Sequence, residues 1–284
     1  MKILFCGSSG FLGRHIVKHI SGVHTISPFN FSEGHDMTNA RSVMRAAAGH
    51  DIIFHFGASA VGRRHAIEIG SIETSSEMIG MRNFIVAAKK YVIPIVYASS
   101  IRVYGSTEEM QVGESVDCHP TSLYGELKYA CEQVLRASGV DHCILRMSAA
   151  YGSGMPDDFV FAEILRKIMA NKPIILKSVG EAKRNFISVN DVADAVGAFL
   201  NHLPNVVGEA LNIIGPESVT LPELADIIGS VAGKPVSLTR GISADDISEE
   251  ELSGLKAERV IEWHAKVYLR DGLAQLVSEY ESNE

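Results

Sequence analysis

The chain has 284 residues, 46% apolar and 21% charged, which is enough for one large domain or two modest ones whose core needs no disulfide staples. Its formal charge of -8 argues against nucleic acid or an anionic membrane surface as a partner, since both demand a basic footprint, and points to a small-molecule ligand. No apolar run reaches the roughly 18 residues of a membrane span, and no charged-then-apolar leader precedes the first strand, so a cytoplasmic protein is expected.

The apolar run Ile3-Leu4-Phe5-Cys6 reads as a strand, Gly7-Ser8-Ser9-Gly10-Phe11-Leu12-Gly13 as a tight turn, and Arg14 to Ile20 as a helix. Glycines at these places let the chain turn sharply, let a pyrophosphate approach bare backbone and let the helix pack closely on the strand. The helix N-terminus is then free to hold an anion, and a dinucleotide is the ligand this pattern implies. His24 to Phe29 is the expected second strand. A dinucleotide fold usually ends that strand in an acid that binds the adenosine ribose, but here the slot holds Ser27, Pro28, Phe29 or Asn30. Without the acid, and without an Arg or Lys in its place, the choice between NAD and NADP stays open.

A helix over Asn39 to Ala48 precedes the strand Asp51 to Phe56. Glu73 to Tyr91 shows helical spacing at Met78, Met81, Phe84, Ile85 and Ala88, and Pro94 to Ala98 is a fully apolar strand. Short apolar strands alternating with helices predict an α/β fold with a doubly wound parallel sheet. Ligands of such sheets lie beyond the carboxyl ends of the strands, where Ser100 falls. On the next helix, Tyr124 and Lys128 are four residues apart and share a face. A phenol is a poor base at neutral pH, but an ammonium and an oxidised nicotinamide beside it both favour the phenolate. These residues therefore predict a catalytic set: Tyr124 takes the proton of a substrate alcohol, Ser100 holds the alcohol oxygen, and Lys128 supports Tyr124 and binds the nicotinamide ribose.

Four cysteines (Cys6, Cys118, Cys131, Cys143) stand apart with no Cys-x-x-Cys pair, which predicts reduced thiols. His15 and His19 share a helix face, but no Glu follows His15 and no third ligand is evident, so no metal site is expected.

As a set, GSSGFLG (7–13), FHFGAS (54–59), SSIRVYG (99–105), YGELK (124–128), RMSAAYG (146–152) and RNFISVNDVA (184–193) resemble the extended short-chain dehydrogenase/reductase family. The resemblance is to its nucleotide-sugar epimerase/dehydratase branch and extends to GEALNI (208–213), the segment 221–236 and the terminal segment 260–273. It implies a Rossmann cofactor domain over residues 1–150, with 184–213 returning to it, and a smaller C-terminal substrate-binding α/β region over 151–284. It implies cofactor contacts from Gly7, Ser9, Gly10, Phe11, Leu12, Gly13, Asp36, Met37, Phe56, Gly57, Ala58, Tyr124 and Lys128. Substrate contacts fall to Ser59, Ala149 and Arg184, with Arg240 standing in for a second arginine near Ser243. The implied assembly is a homodimer paired through the helices around 73–91 and 121–138.

The departures from the family pattern limit the activity. Ile101-Arg102 stand where 4,6-dehydratases of this branch have Asp-Glu, so dehydration is not expected. Ala149 replaces a usual Asn, and Glu77 stands where an Asn usually approaches the cofactor. The expected function is NAD(P)-dependent epimerisation at a secondary carbinol of a sugar or nucleotide sugar. The alternatives are an NADPH-dependent 4-keto-sugar reductase and a non-catalytic dinucleotide-binding scaffold, although the latter need not keep Ser100, Tyr124 and Lys128.

Overall fold

A computed structural model of the chain describes residues 1–57, 71–105, 111–243 and 252–282. The central sheet is six-stranded and parallel, in the order β2-β1-β3-β4-β5-β9. Its strands are β1 (Lys2–Cys6), β2 (Thr25–Phe29), β3 (Ile52–His55), β4 (Ile95–Ser100), β5 (His142–Met147) and β9 (Ala210–Ile213). Both faces are covered, and the strand sequences show why. Along β1, Ile3 and Phe5 enter one core while Leu4 and Cys6 enter the other; along β4, Val96 and Ala98 oppose Ile95 and Tyr97 in the same way. A strand with period-two side chains and two buried faces must be apolar throughout.

One face carries α1 (Phe11–Ile20) packed on α6 (Val189–Asn201), with α8 (Leu255–Ile261) beside them. The other carries α2 (Ala40–Ala47), α3 (Ser76–Tyr91) and α4 (Leu123–Ala137), packed in that order. The chain winds outward from β1 to β2, then crosses back to β3. That reversal opens the sheet's carboxyl edge between β1 and β3, where ligands of such folds bind.

A second, smaller layer contains the antiparallel and parallel pairs of β10 (Ser218–Val219), β8 (Arg184–Ser188) and β6 (Ala149–Tyr151). A short pair, β7 (Ile174–Ile175) with β11 (Leu238–Thr239), lies apart from it. The smaller layer shares its core with α5 (Val160–Met169), α7 (Leu221–Ala232) and α9 (Leu269–Glu281). Thus β8 pairs outside the central sheet, while α6, which follows it directly, packs back on α1.

Element ends differ from the sequence expectation by a turn or less, and capping explains where helices begin. The helix expected from Glu73 opens at Ser76, because Ser75 Oγ accepts the Met78 amide at 3.2 Å and Ile72–Thr74 form a separate 3-10 turn. Ser122 Oγ likewise accepts the Gly125 amide at 3.2 Å and starts α4 two residues after Thr121.

Candidate active site

The glycine-rich turn leaves β1 at Gly7, whose φ of +90° is left-handed, and a Cβ there would sit 2.7 Å from the Gly57 nitrogen at the end of β3. A Cβ on Gly13 would collide with the Gly7 carbonyl oxygen and the Ser8 backbone. The turn is therefore a cradle of bare main chain. Gly10 precedes α1 with no side-chain cap, so the first amides of the helix remain for a ligand. Asn30, buried at the end of β2, fixes the cradle: its Oδ1 accepts the Ser9 amide at 3.2 Å and its Nδ2 donates to Ser8 Oγ at 2.8 Å. Phe11 meets Phe159 edge-on at 6.2 Å, and Arg14 and His15 hydrogen-bond the carbonyls of Gly154 and Ser153, tying α1 to the loop beyond β6.

Asp36 Oδ1 accepts both the amide and the hydroxyl of Thr38, at 2.8 and 2.7 Å. The Met37 carbonyl accepts from Asn83 Nδ2 at 2.8 Å, and its side chain lies over Gly80 of α3. Phe56 stacks with Phe54 and meets Phe5 edge-on at the end of β3. The expected contacts Ala58 and Ser59 lie outside the described residues.

Ser100 ends β4, and its Oγ accepts the Arg102 amide at 3.2 Å as the chain turns. Its neighbour Ser99 points to the other face and donates to Glu132 of α4 at 2.5 Å. Helix α4 can approach this turn because residue 125 is glycine; a Cβ there would fall 2.5 Å from the Arg102 carbonyl oxygen. That close approach brings the first turns of α4, with Tyr124 and Lys128, to the end of β4. The Lys128 ammonium lies 5.7 Å from the Tyr124 ring centroid and 5.1 Å from that of Tyr97.

Lys128 is buried and charged at once. Its Nζ donates to Glu77 Oε1 at 2.6 Å and to the Ala98 carbonyl at 2.8 Å, and Tyr97 Oη donates to the same Glu77 oxygen at 2.7 Å. Burial works against the ammonium, but the Glu77 carboxylate, with Tyr124 adding to it, holds the lysine pKa above its ordinary value. Burial likewise works against the Glu77 carboxylate; Lys128, His55 and the two hydrogen bonds outweigh it and hold the carboxyl below its ordinary range. Both partners shift toward the ionised pair.

On the smaller layer, Ala149 opens β6 and is exposed, and Arg184 opens the adjacent β8, where Phe186 pairs with Ala149. Arg240 forms a 3.7 Å ion pair with Glu181.

The sequence profile described as "NAD dependent epimerase/dehydratase family" matches residues 3–213. The chain belongs to that family. It is an enzyme of the NAD-dependent epimerase/dehydratase type. The bare cradle, the uncapped start of α1 and the carboxyl edge between β1 and β3 fit NAD as the cofactor. It is 24% identical to YtcB, an uncharacterised UDP-glucose epimerase of Bacillus subtilis (strain 168), over 98% of this chain and 97% of that one. Its fold matches the UDP-glucuronic acid 4-epimerase of Bacillus cereus, solved in complex with UDP-glucuronic acid and NAD, at a TM-score of 0.89, with 20% identity over 100% of both chains. The UDP-glucose 4-epimerase of Thermotoga maritima, solved with UDP-glucose, matches at a TM-score of 0.87 and 21% identity, covering 100% of this chain and 99% of that one.

In this family member the residues read from sequence fall into two groups. Tyr124 and Lys128 stand on the first turns of α4, which packs on the end of β4 and the turn that follows Ser100, and residues 7–13 form the turn between β1 and α1. Ala149 and Arg184 sit on neighbouring strands of the other layer. Sequence reasoning did not find the bond from Asn30 to the glycine turn, nor Tyr97 and His55 around the Glu77–Lys128 pair. The signals for them were weak: a polar residue at the end of β2, and an acid inside an otherwise apolar helix face.

Proposed function

We propose that the protein is an epimerase that inverts a secondary carbinol of a nucleotide sugar with an NAD that stays bound through the cycle. The observation that carries the reading is the meeting of Ser100, at the end of a parallel strand, with Tyr124 and Lys128 on the helix that Gly125 lets approach it. When bound, NAD supplies hydride acceptance from the carbinol carbon and hydride return. Tyr124 takes the hydroxyl proton as the alcohol becomes a ketone and gives it back when the alcohol re-forms. Ser100 holds the carbinol oxygen through both steps. Lys128 keeps a positive charge beside Tyr124 and binds a cofactor hydroxyl. Gly7 to Gly13 hold the pyrophosphate against bare backbone, and Arg184 meets a substrate diphosphate.

Two lines of support set the epimerase above the ketoreductase: family membership, and the UDP-sugar epimerases that it resembles along their full length. Ile101-Arg102 take the two positions after Ser100 in place of an acid pair, which speaks against loss of water. The six-stranded sheet and its helices build the cofactor side, and the layer after Tyr151 builds most of the substrate side. We assign the protein to the cytoplasm and to a homodimer joined through α3 and α4, whose outward residues include Arg82, Val86 and Gln133. Light scattering that gives the mass of one chain would exclude the dimer.

Mass spectrometry of cofactor released from freshly purified, denatured protein tests the cycle. Stoichiometric NAD is expected, and Tyr124→Phe is expected to keep that NAD while losing turnover of a UDP-hexose. Full turnover by Tyr124→Phe would remove the proposed base from the mechanism.

A further inference from the structure

A carboxylate with 3% of its side chain exposed, on a lysine with 5% exposed, is an uncommon arrangement, because each charge loses its water. Here it is built with care. Glu77 reaches Lys128 from α3, Tyr97 from β4 donates to the same carboxylate oxygen, and the Ala98 carbonyl takes a second ammonium proton. An ammonium has three protons to give. Among the described residues two are taken, which leaves one for a cofactor hydroxyl or the Tyr124 oxygen.

We propose that Glu77 is a positioning residue for Lys128: its carboxylate fixes the buried ammonium between Tyr97 and Tyr124 and keeps it charged across the working pH range. The proposal rests on the reading of Lys128 as a cofactor-binding residue. A neutral amide at position 77 accepts a hydrogen bond but supplies no counter-charge. A buried lysine without one releases its proton near or below neutral pH.

The other titratable groups that face the pair do not substitute for Glu77. Burial lowers His55 on β3 to about 4, so its imidazole is neutral. Burial raises Cys131 on α4 to about 12, and burial with the Glu77 charge raises the Tyr97 hydroxyl, so both keep their protons. Burial, with the Glu77 charge adding to it, raises Cys6 on β1 to about 12, so it also keeps its proton, and Tyr124, one turn before Lys128, completes the titratable neighbours among the described residues. Between about pH 6.5 and 9, then, Glu77 is the counter-charge that decides the state of Lys128.

The test is the pH dependence of NAD affinity, measured by titration calorimetry on the full chain stripped of cofactor. Wild-type affinity is expected to stay within about twofold from pH 6.5 to 9, because the lysine remains charged. Glu77→Gln is expected to lose affinity as pH rises, by about tenfold per unit once the ammonium deprotonates. Glu77→Asp keeps the charge on a shorter arm; it is expected to bind NAD more weakly by the same factor at every pH. A Glu77→Gln curve that runs parallel to the wild-type curve overturns the proposal. If Glu77→Gln does not fold, Glu77→Asp decides: wild-type affinity throughout overturns the positioning role. Wild-type protein that binds no NAD at any pH overturns the cofactor reading and this inference with it, which separates that failure from the failure of Glu77 alone.

Discussion

Glu132→Gln is the substitution whose effect can be worked most fully. The carboxylate takes Ser99 Oγ at 2.5 Å, Arg146 Nε at 3.1 Å and Arg146 Nη2 at 2.7 Å, and the two side chains of the ion pair are 0% and 4% exposed. Arg146 Nη1 has no hydrogen-bond partner among the described residues, so the two bonds from Glu132 anchor the guanidinium, with the Tyr104 ring 4.8 Å away. Removing one member of a buried pair strands the other, at about 3–5 kcal/mol. For a chain of this size that corresponds to a fall in midpoint of roughly 10 °C. Urea unfolding followed by circular dichroism measures it. The double variant Glu132→Met/Arg146→Met, which removes both charges, is expected to recover most of the loss. A loss below about 1 kcal/mol in Glu132→Gln, or a double variant worse than the single one, would refute the reasoning, since the guanidinium would then not depend on Glu132. Because Ser99 adjoins Ser100, turnover is expected to fall with stability.

Three further outcomes follow from the geometry. His55 is held at about 4 against 6.5 for a free imidazole. The unfolded chain therefore binds the extra proton between those values. That difference contributes about 3 kcal/mol, present in full above pH 6.5 and lost as pH falls toward 4. Urea unfolding at neutral and mildly acid pH should show this loss in the wild type, and a flatter response in His55→Leu. Gly13→Ala forces a methyl onto the Gly7 carbonyl, so calorimetry should find NAD affinity reduced by at least about tenfold while the unfolding midpoint falls modestly. Arg184→Ala should weaken a UDP-hexose by about tenfold and leave NAD affinity unchanged; an unchanged substrate dissociation constant would remove the diphosphate contact.

The elements that could be read from sequence were those whose side chains report one environment. The runs Ile3–Cys6 of β1 and Ile95–Ala98 of β4 are apolar and buried on both faces, so their place in a parallel sheet was legible. The glycine turn was legible because Gly7 and Gly13 meet backbone that excludes a Cβ. Tyr124 and Lys128 were legible through helical spacing. Ion pairs inside the core were not, because Glu77, Glu132 and Arg146 carry the composition of surface residues, and only tertiary packing tells where they point. The same holds for β8, whose short Arg-Asn-Phe-Ile-Ser sequence does not say which sheet it joins; its pairing with β6 and β10 is set by contacts far along the chain. Asn30 was visible as a departure from an expected acid, but its bonds to Ser8 and Ser9 depend on how the end of β2 meets the glycine turn.

The central claim is that hydride leaves and returns within one active site. The direct measurement uses a UDP-hexose with deuterium on the carbinol carbon to be inverted, incubated with NAD-loaded protein and no free cofactor, and followed by NMR and mass spectrometry. The account predicts the epimer at unchanged mass, with the deuterium still on the inverted carbon. Deuterium exchanged into solvent, or a reduced product formed only when external NADPH or NADH is consumed, would contradict it.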